Sequence, residues 1–259
     1  NIAVNGAGSV GSGTYYQLAQ YIEKANRFLA GDGLKVSISF FARSTIAGKR
    51  LGFDMQQNYG TGGSPDGAEN LQGTTFDLND FFVRYEFPIE TNPNYWQNLG
   101  TNEDDNLAIK FWMMWGSTYN ARLASASTET FVGSGSVDIA RVMLNIGRVS
   151  VPFMPKTVIE EIKDCNRFCF VHDTVATTSV IGEGIAVSTT VAIIAIKLPS
   201  PMRITPTLTG TATDWQLSDG VTQTDLTAIA IDTARSNKNT VVLTCTVASG
   251  LTQYRPYIL

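Results

Sequence analysis

Most of the chain alternates between apolar and polar positions. Residues 34–43 (LKVSISFFAR) put Val36, Ile38 and Phe40 on one side and Ser37, Ser39 and Phe41 on the other, the period of a strand. Residues 107–115 (LAIKFWMMW) predict a second, deeply apolar strand. Residues 52–59, 74–78 and 81–88 predict three more, and residues 131–151 a further two, with VDIARVML alternating well. The run GTGGSPDG after Tyr59 is an unbroken turn signal. Near the front, residues 14–28 fit either strand or helix. Alternation of Tyr16, Leu18, Gln20 and Ile22 against Gln17, Ala19, Tyr21 and Glu23 favours a strand to about Glu23, then a helical turn that stops at Gly31. Later strands are predicted at 168–175, 184–197, 205–213, 227–234 and 239–247. Short strands at regular spacing, with polar turns between them, predict antiparallel sandwiches.

One stretch breaks the pattern. In residues 153–170 (FMPKTVIEEIKDCNRFCF), Pro152 and Pro155 end what precedes. Thr157 and Glu160 then form a capping box, the hydroxyl taking an orphan amide and the carboxylate reaching back to the cap. Val158, Ile162, Cys165 and Cys169 follow on one helical face, which predicts packing thiols. The helix reads as a joint between two β domains; the alternative is a helix inside one large sandwich.

Composition narrows the function classes. The 259 residues suffice for two ordinary domains or one large β domain. Charged residues are 16%, against about 25% in ordinary globular domains, and Gly, Ser, Thr, Asn and Gln fill the difference. The net charge is −4 with no basic tract, so a counterion-release mode of nucleic-acid binding has nothing to work with. No apolar run reaches the length of a membrane span. Three cysteines, an odd and sparse number, argue against a disulfide scaffold and suit folding in a reducing cytoplasm. The first residue is Asn1, so a fragment or processed piece is expected.

Four linked motifs occur in order: QYIEKANRFLAGDGLKVSISFFAR, MQQNYGTGGSP, LGTNEDDNLAIKFWMMWGS and VDIARVMLNIGRVSVPFMP. Together they resemble a jelly-roll module of phage tail fibre and minor tail proteins, itself similar in shape to carbohydrate-binding modules. EEIKDCNRFCF is similar to the family's helix-to-strand passage. LPSPMRITPTLT resembles the strand that opens its small C-terminal β domain, and VASGLTQ the turn near that domain's end. The chain departs from the pattern at Asn145 and Ile146, where the family often has Gln, Glu and other acidic residues. It also lacks the family's usual first strand, which implies that an element is missing or comes from upstream chain.

The resemblance implies an all-β protein with an N-terminal jelly-roll sandwich (1–154), a short linking helix (155–169) and a small C-terminal antiparallel β-sandwich domain (170–259). It also implies a virion component of a phage tail, commonly a homotrimer, that partners other tail proteins and host cell-surface polysaccharide. A trimer would form through the Val, Ile and Ala-rich strands of the second domain.

The chemistry-bearing residues do not assemble a catalytic constellation. His172 is the single histidine and, beside Asp173, makes no triad. Asp54, Asp66, Glu69, Asp104 and Asp105 are acids of the type glycoside hydrolysis uses, but nothing in the sequence pairs them. Glu103, Asp104 and Asp105 are candidate calcium ligands, with a solvated acidic loop as the alternative, and no other cofactor is expected. Phe40, Phe41, Phe82, Phe111, Trp112, Met113 and Phe131 read as core. Tyr59, Tyr95, Trp96 and Tyr119 lie in or beside loops rich in Asn, Gln, Gly and Asp. There a flat apolar ring with a few polar neighbours suits a sugar, so these four are the candidate glycan contacts. The expectation is a non-enzymatic receptor-binding protein; the alternatives are a tail-associated polysaccharide depolymerase and a purely structural decoration protein.

Overall fold

In a computed structural model, which describes residues 2–5, 8–31, 33–92, 97–130, 134–172 and 179–259, the alternating segments are strands and the strand pairs are antiparallel. The fold is all-β. The chain divides into two compact units, Asn1–Met154 and Pro155–Leu259.

The first unit contains β1 (Ile2–Asn5), β2 (Tyr15–Glu23), the short helix α1 (Asn26–Leu29), β3 (Lys35–Ser44), β4 (Arg50–Asn58), β5 (Glu69–Asn70), β6 (Thr74–Asp77), β7 (Val83–Glu90), β8 (Asn106–Trp115) and β9 (Ser134–Ile146). Two sheets result. One runs β1-β9-β3-β7; the other runs β2-β8-β4-β5, with β6 also paired to β4. The inward positions predicted from alternation meet across the sandwich. Val36, Ile38 and Phe40 of β3 pack with Leu51, Phe53 and Met55 of β4 and Leu107, Ile109 and Phe111 of β8. Phe40 and Phe111 meet edge to face at 5.0 Å between ring centroids. Of the other aromatics expected in the core, Trp112 is buried, Phe41 is half-buried and Phe82 is exposed, while Phe131 lies outside the described residues. The described part of 131–151 holds one thirteen-residue strand, β9, rather than two. Its pairing with β3 shifts register between Ser39 and Phe41 near Arg141, which sits at φ 52°. A bulge at that point lets one long strand turn.

A second irregularity matters more. Tyr16 faces Met114 and Gln17 faces Trp112, so Met113 is skipped in the β2–β8 ladder. Side chains alternate strictly along a strand, so one extra residue shifts the phase. Met113 stays in the main core, while Trp112 and Trp115 both reach the outer face of the five-stranded sheet and cluster with Leu123. The segment 117–129 lies over them as a strap. Arg50 ties it down through Glu129 (2.7 Å), Ser125 (3.1 Å) and the Thr128 carbonyl (2.6 Å). Trp115 Nε1 donates to the Ser127 carbonyl at 3.2 Å. Gly52 sits directly beneath; a Cβ there would come within 2.9 Å of Leu123 and 3.0 Å of Trp112.

The second unit contains the helix α2 (Val158–Cys165) and then β10 (Glu183–Ala186), β11 (Val191–Lys197), β12 (Gln216–Ser218), β13 (Gln223–Ile231), β14 (Thr240–Val247) and β15 (Pro256–Ile258). The antiparallel strands expected of this domain are present, and their arrangement is a barrel. The strands close into a barrel in the order β10-β11-β14-β13-β12-β15, with β15 pairing back onto β10. Ala192, Ile194, Leu217, Leu226, Leu243, Cys245 and Tyr257 fill it. Closure removes free strand edges, which a small six-stranded unit otherwise exposes. Residues 205–211 form no strand. In α2 the capping box is present: Thr157 N donates to Glu160 Oε2 at 2.8 Å, and Glu160 N to Thr157 Oγ1 at 3.3 Å. Its apolar face is not packed as expected, because Val158, Ile159 and Ile162 are exposed and so are Cys165 and Cys169.

Candidate functional site

The sequence-predicted contacts do not form one site. Tyr59 is fully buried, and its hydroxyl donates to Glu69 Oε2 at 2.8 Å. Burial, with the Glu69 carboxylate behind it, pushes that phenol above its ordinary range. Tyr59 is therefore an internal anchor and not a ring that a sugar can stack on. Glu69 also accepts from Asn92 Nδ2 and Gln97 Nε2, both at 2.9 Å, so it fixes the two ends of the segment carrying Tyr95 and Trp96. Those two aromatics lie outside the described residues.

The acidic run diverges. Glu103 pairs with Lys24 at 3.0 Å, Asp104 accepts from Thr61 N (2.7 Å) and Oγ1 (2.6 Å), and Asp105 is buried against Arg27. Three neighbouring carboxylates, the candidate calcium ligands, thus serve three different partners. Among the described residues no group of three or more His, Cys, Asp or Glu is placed to hold a metal ion. Asp66 accepts from Asn98 N at 2.6 Å, on the loop side of the same region. His172 is exposed beside Phe170, and Asp173 lies outside the described residues.

What the fold does bring together is the outer face of the five-stranded sheet, beyond the strap. Register places Tyr21 opposite Ala108, Ala108 opposite Gln56, and Gln56 opposite Asn70, so the four stand in one row across β2, β8, β4 and β5. The next row is Ala19, Lys110 and Asp54. Residues opposite one another in a ladder point to the same face. The middle of these rows is small and largely covered (Ala108 is buried and Ala19 half-buried), with an exposed aromatic at one edge and amides at the other. Tyr21 is 59% exposed. Lys110 Nζ donates to Gln56 Oε1 at 2.7 Å, and Gln56 Nε2 donates to Asn70 Oδ1 at 2.8 Å. At the strap end Tyr15, Tyr119 and Trp112 form an aromatic triangle with centroid separations of 5.0 to 5.3 Å. Tyr15 is half exposed, and Tyr119 donates to the Gly13 carbonyl at 3.3 Å. Tyr15 and Tyr21, six residues apart on one strand face, are separated by roughly 20 Å.

Asp54 underlies this face. Its carboxylate accepts from Trp112 Nε1 at 2.7 Å and from Arg122 Nε, and Arg122 lies over the Trp112 ring at 5.1 Å. Burial raises the Asp54 carboxyl above its ordinary range, against the pull of Trp112 and Arg122. Among the described residues, Tyr119 is the one predicted glycan contact that stands on this face. Tyr15 and Tyr21 were the missed signal: two tyrosines in phase on an otherwise polar, small-residue strand, YYQLAQYIE.

The second unit carries an apolar cavity of about 750 Å³ whose lining includes Phe170, Ile181, Met202, Leu208 and Trp215. No protein-family model matches the chain, and no curated protein matches it.

Proposed function

We propose that this chain is a non-enzymatic attachment protein of a phage tail that binds host surface glycans on the outer face of its five-stranded sheet. The observation that carries the reading is the row Tyr21–Ala108–Gln56–Asn70. An exposed ring and two hydrogen-bonded amides in one row supply what a sugar ring needs: an apolar face to stack on and fixed donors and acceptors at its rim. The ordered motif resemblance to tail fibre proteins supports the virion setting.

Self-association belongs to the same reading. The apolar residues Val158, Ile159 and Ile162 of α2 are exposed at 74, 79 and 54%, a face that a second copy would cover. Light scattering is expected to report a homotrimer, and replacing Ile159 and Ile162 by Glu to reduce it to monomer.

The test of the glycan reading is direct. The purified protein is expected to block phage adsorption to host cells and to bind glycans on an array. Tyr21→Ala is expected to weaken that binding by about tenfold, the loss of one stacking ring. Release of new reducing ends from host polysaccharide, abolished by replacing Asp54, would establish the depolymerase alternative instead.

A further inference from the structure

Building on the glycan-binding reading, we infer that this face selects an anionic glycan, with Lys110 supplying the charge that reads it. Lys110 is only 7% exposed, yet among the described residues no carboxylate lies within ion-pair distance of its ammonium. Asp54 stands directly opposite it in the ladder, but both Asp54 oxygens are taken, one by Trp112 Nε1 and one by Arg122 Nε. Lys110 is left with the neutral Gln56 carbonyl at 2.7 Å. Two cations, Lys110 and Arg122, therefore share one carboxylate, and Arg122 Nη2 has no hydrogen-bond partner among the described residues. Glu23, the other acid of the face, stands opposite Asn106, four residues along β8 and so roughly 13 Å away.

A nearly buried ammonium held against a neutral amide is costly. Burial lowers the Lys110 pKa, and the neighbouring Arg122 lowers it further, with only Asp54 opposing. An anion arriving at Gln56 offsets that cost by replacing a neutral acceptor with a charged one. The chain as a whole carries −4, so its overall field repels such a ligand. Selection must then be local and short-range, made at Lys110 and not by steering. A lysine presents a point charge and not a fork, so a sugar carboxylate and a sugar phosphate both satisfy the chemistry.

The experiment is an array with three arms: uronate-bearing polysaccharides, sugar-phosphate polymers and neutral polysaccharides. It is probed with the intact chain and with the Lys110→Met, Lys110→Gln and Tyr21→Ala variants, each checked for native circular dichroism. The expected result is binding on an anionic arm that falls about tenfold or more in both Lys110 variants. Raising salt weakens the unaltered chain on that arm, so the claim is testable even if both variants fail to fold. Which anionic arm responds identifies the group. Binding to neutral glycans alone, unmoved by the Lys110 variants, overturns the anionic inference and leaves the face intact. Anionic binding indifferent to both Lys110 and salt overturns it as well. Silence on all three arms sinks the glycan reading itself.

Discussion

Glu129→Gln is expected to destabilise the first unit severely, although residue 129 touches no proposed ligand. Glu129 receives Lys49 Nζ at 3.0 Å, Arg50 Nε at 2.7 Å and Arg50 N at 3.1 Å. The Lys49 side chain is 0% exposed and Glu129 5%. The Lys49 ammonium also donates to the Met113 carbonyl, at the bulge itself. Glutamine keeps the shape but removes the carboxylate that faces a wholly buried ammonium. Breaking a buried pair from one side costs about 3–5 kcal/mol. Arg50 keeps 23% exposure and can turn to water, so its share is about 0–1 kcal/mol. The loss is therefore assigned to Lys49, and a second substitution checks the assignment. In Lys49→Met/Glu129→Gln the charge itself is gone, and stability is expected to return to within about 2 kcal/mol of the parent.

Urea unfolding followed by tryptophan fluorescence in a Trp215→Phe background, with circular dichroism for the whole chain, measures all four corners of the cycle. The pH dependence has a definite sign. Burial lowers the Lys49 pKa from 10.5 in the folded protein, against the pull of Glu129. The folded state then binds fewer protons than the unfolded one, and stability rises with pH up to the unfolded value. Without Glu129 the depression deepens, so Glu129→Gln should recover stability between pH 7 and 10 more steeply than the parent. A loss below about 1 kcal/mol in Glu129→Gln, or a Lys49→Met cost that is the same in both backgrounds, would refute this reasoning.

Three further outcomes are expected. Gly52→Ala places a methyl 2.9 Å from Leu123 and 3.0 Å from Trp112, and should cost about 1–3 kcal/mol while opening the 117–129 strap to protease before the rest of the unit unfolds. Iodoacetamide at pH 8 should modify Cys165 and Cys169 in the native protein and Cys245 only in urea, read by mass, because the first two are exposed and the third is buried with its thiol pushed up to about 12. Since that thiol stays protonated longer when folded, the barrel should lose stability as pH climbs through the ordinary thiol range toward 12, and Cys245→Ala should lose less.

Local patterns carried the strands well and the surfaces poorly. Alternation over residues 34–43 and 107–115 is enough to find β3 and β8, because both bury one face against the same core. Thr157 and Glu160 announce the start of α2 through contacts three residues apart. The same helix shows the limit of periodicity: it reveals that Val158, Ile162 and Cys165 share a face, but not whether anything covers it, and none of the described residues does. Tyr59 looked like a loop ring because its partner Glu69 is ten residues on and its burial depends on the whole sandwich closing. The acidic run 103–105 looked like a cluster because Lys24, Arg27 and Thr61, which divide it, come from distant segments. The Tyr21 row was invisible for a related reason. It exists only through the register of four strands, and register here turns on a single skipped residue.

That skipped residue, Met113, works as a phase marker. Along one strand the outer positions before Trp112 are small or polar (Ala108, Lys110), and after it a second tryptophan is delivered to the same side to seat a strap. Deleting Met113 would restore strict alternation with Trp112 and Trp115 still on the outer face and Met114 turned inward, so the strap would keep its seat while the main core exchanged one methionine for another.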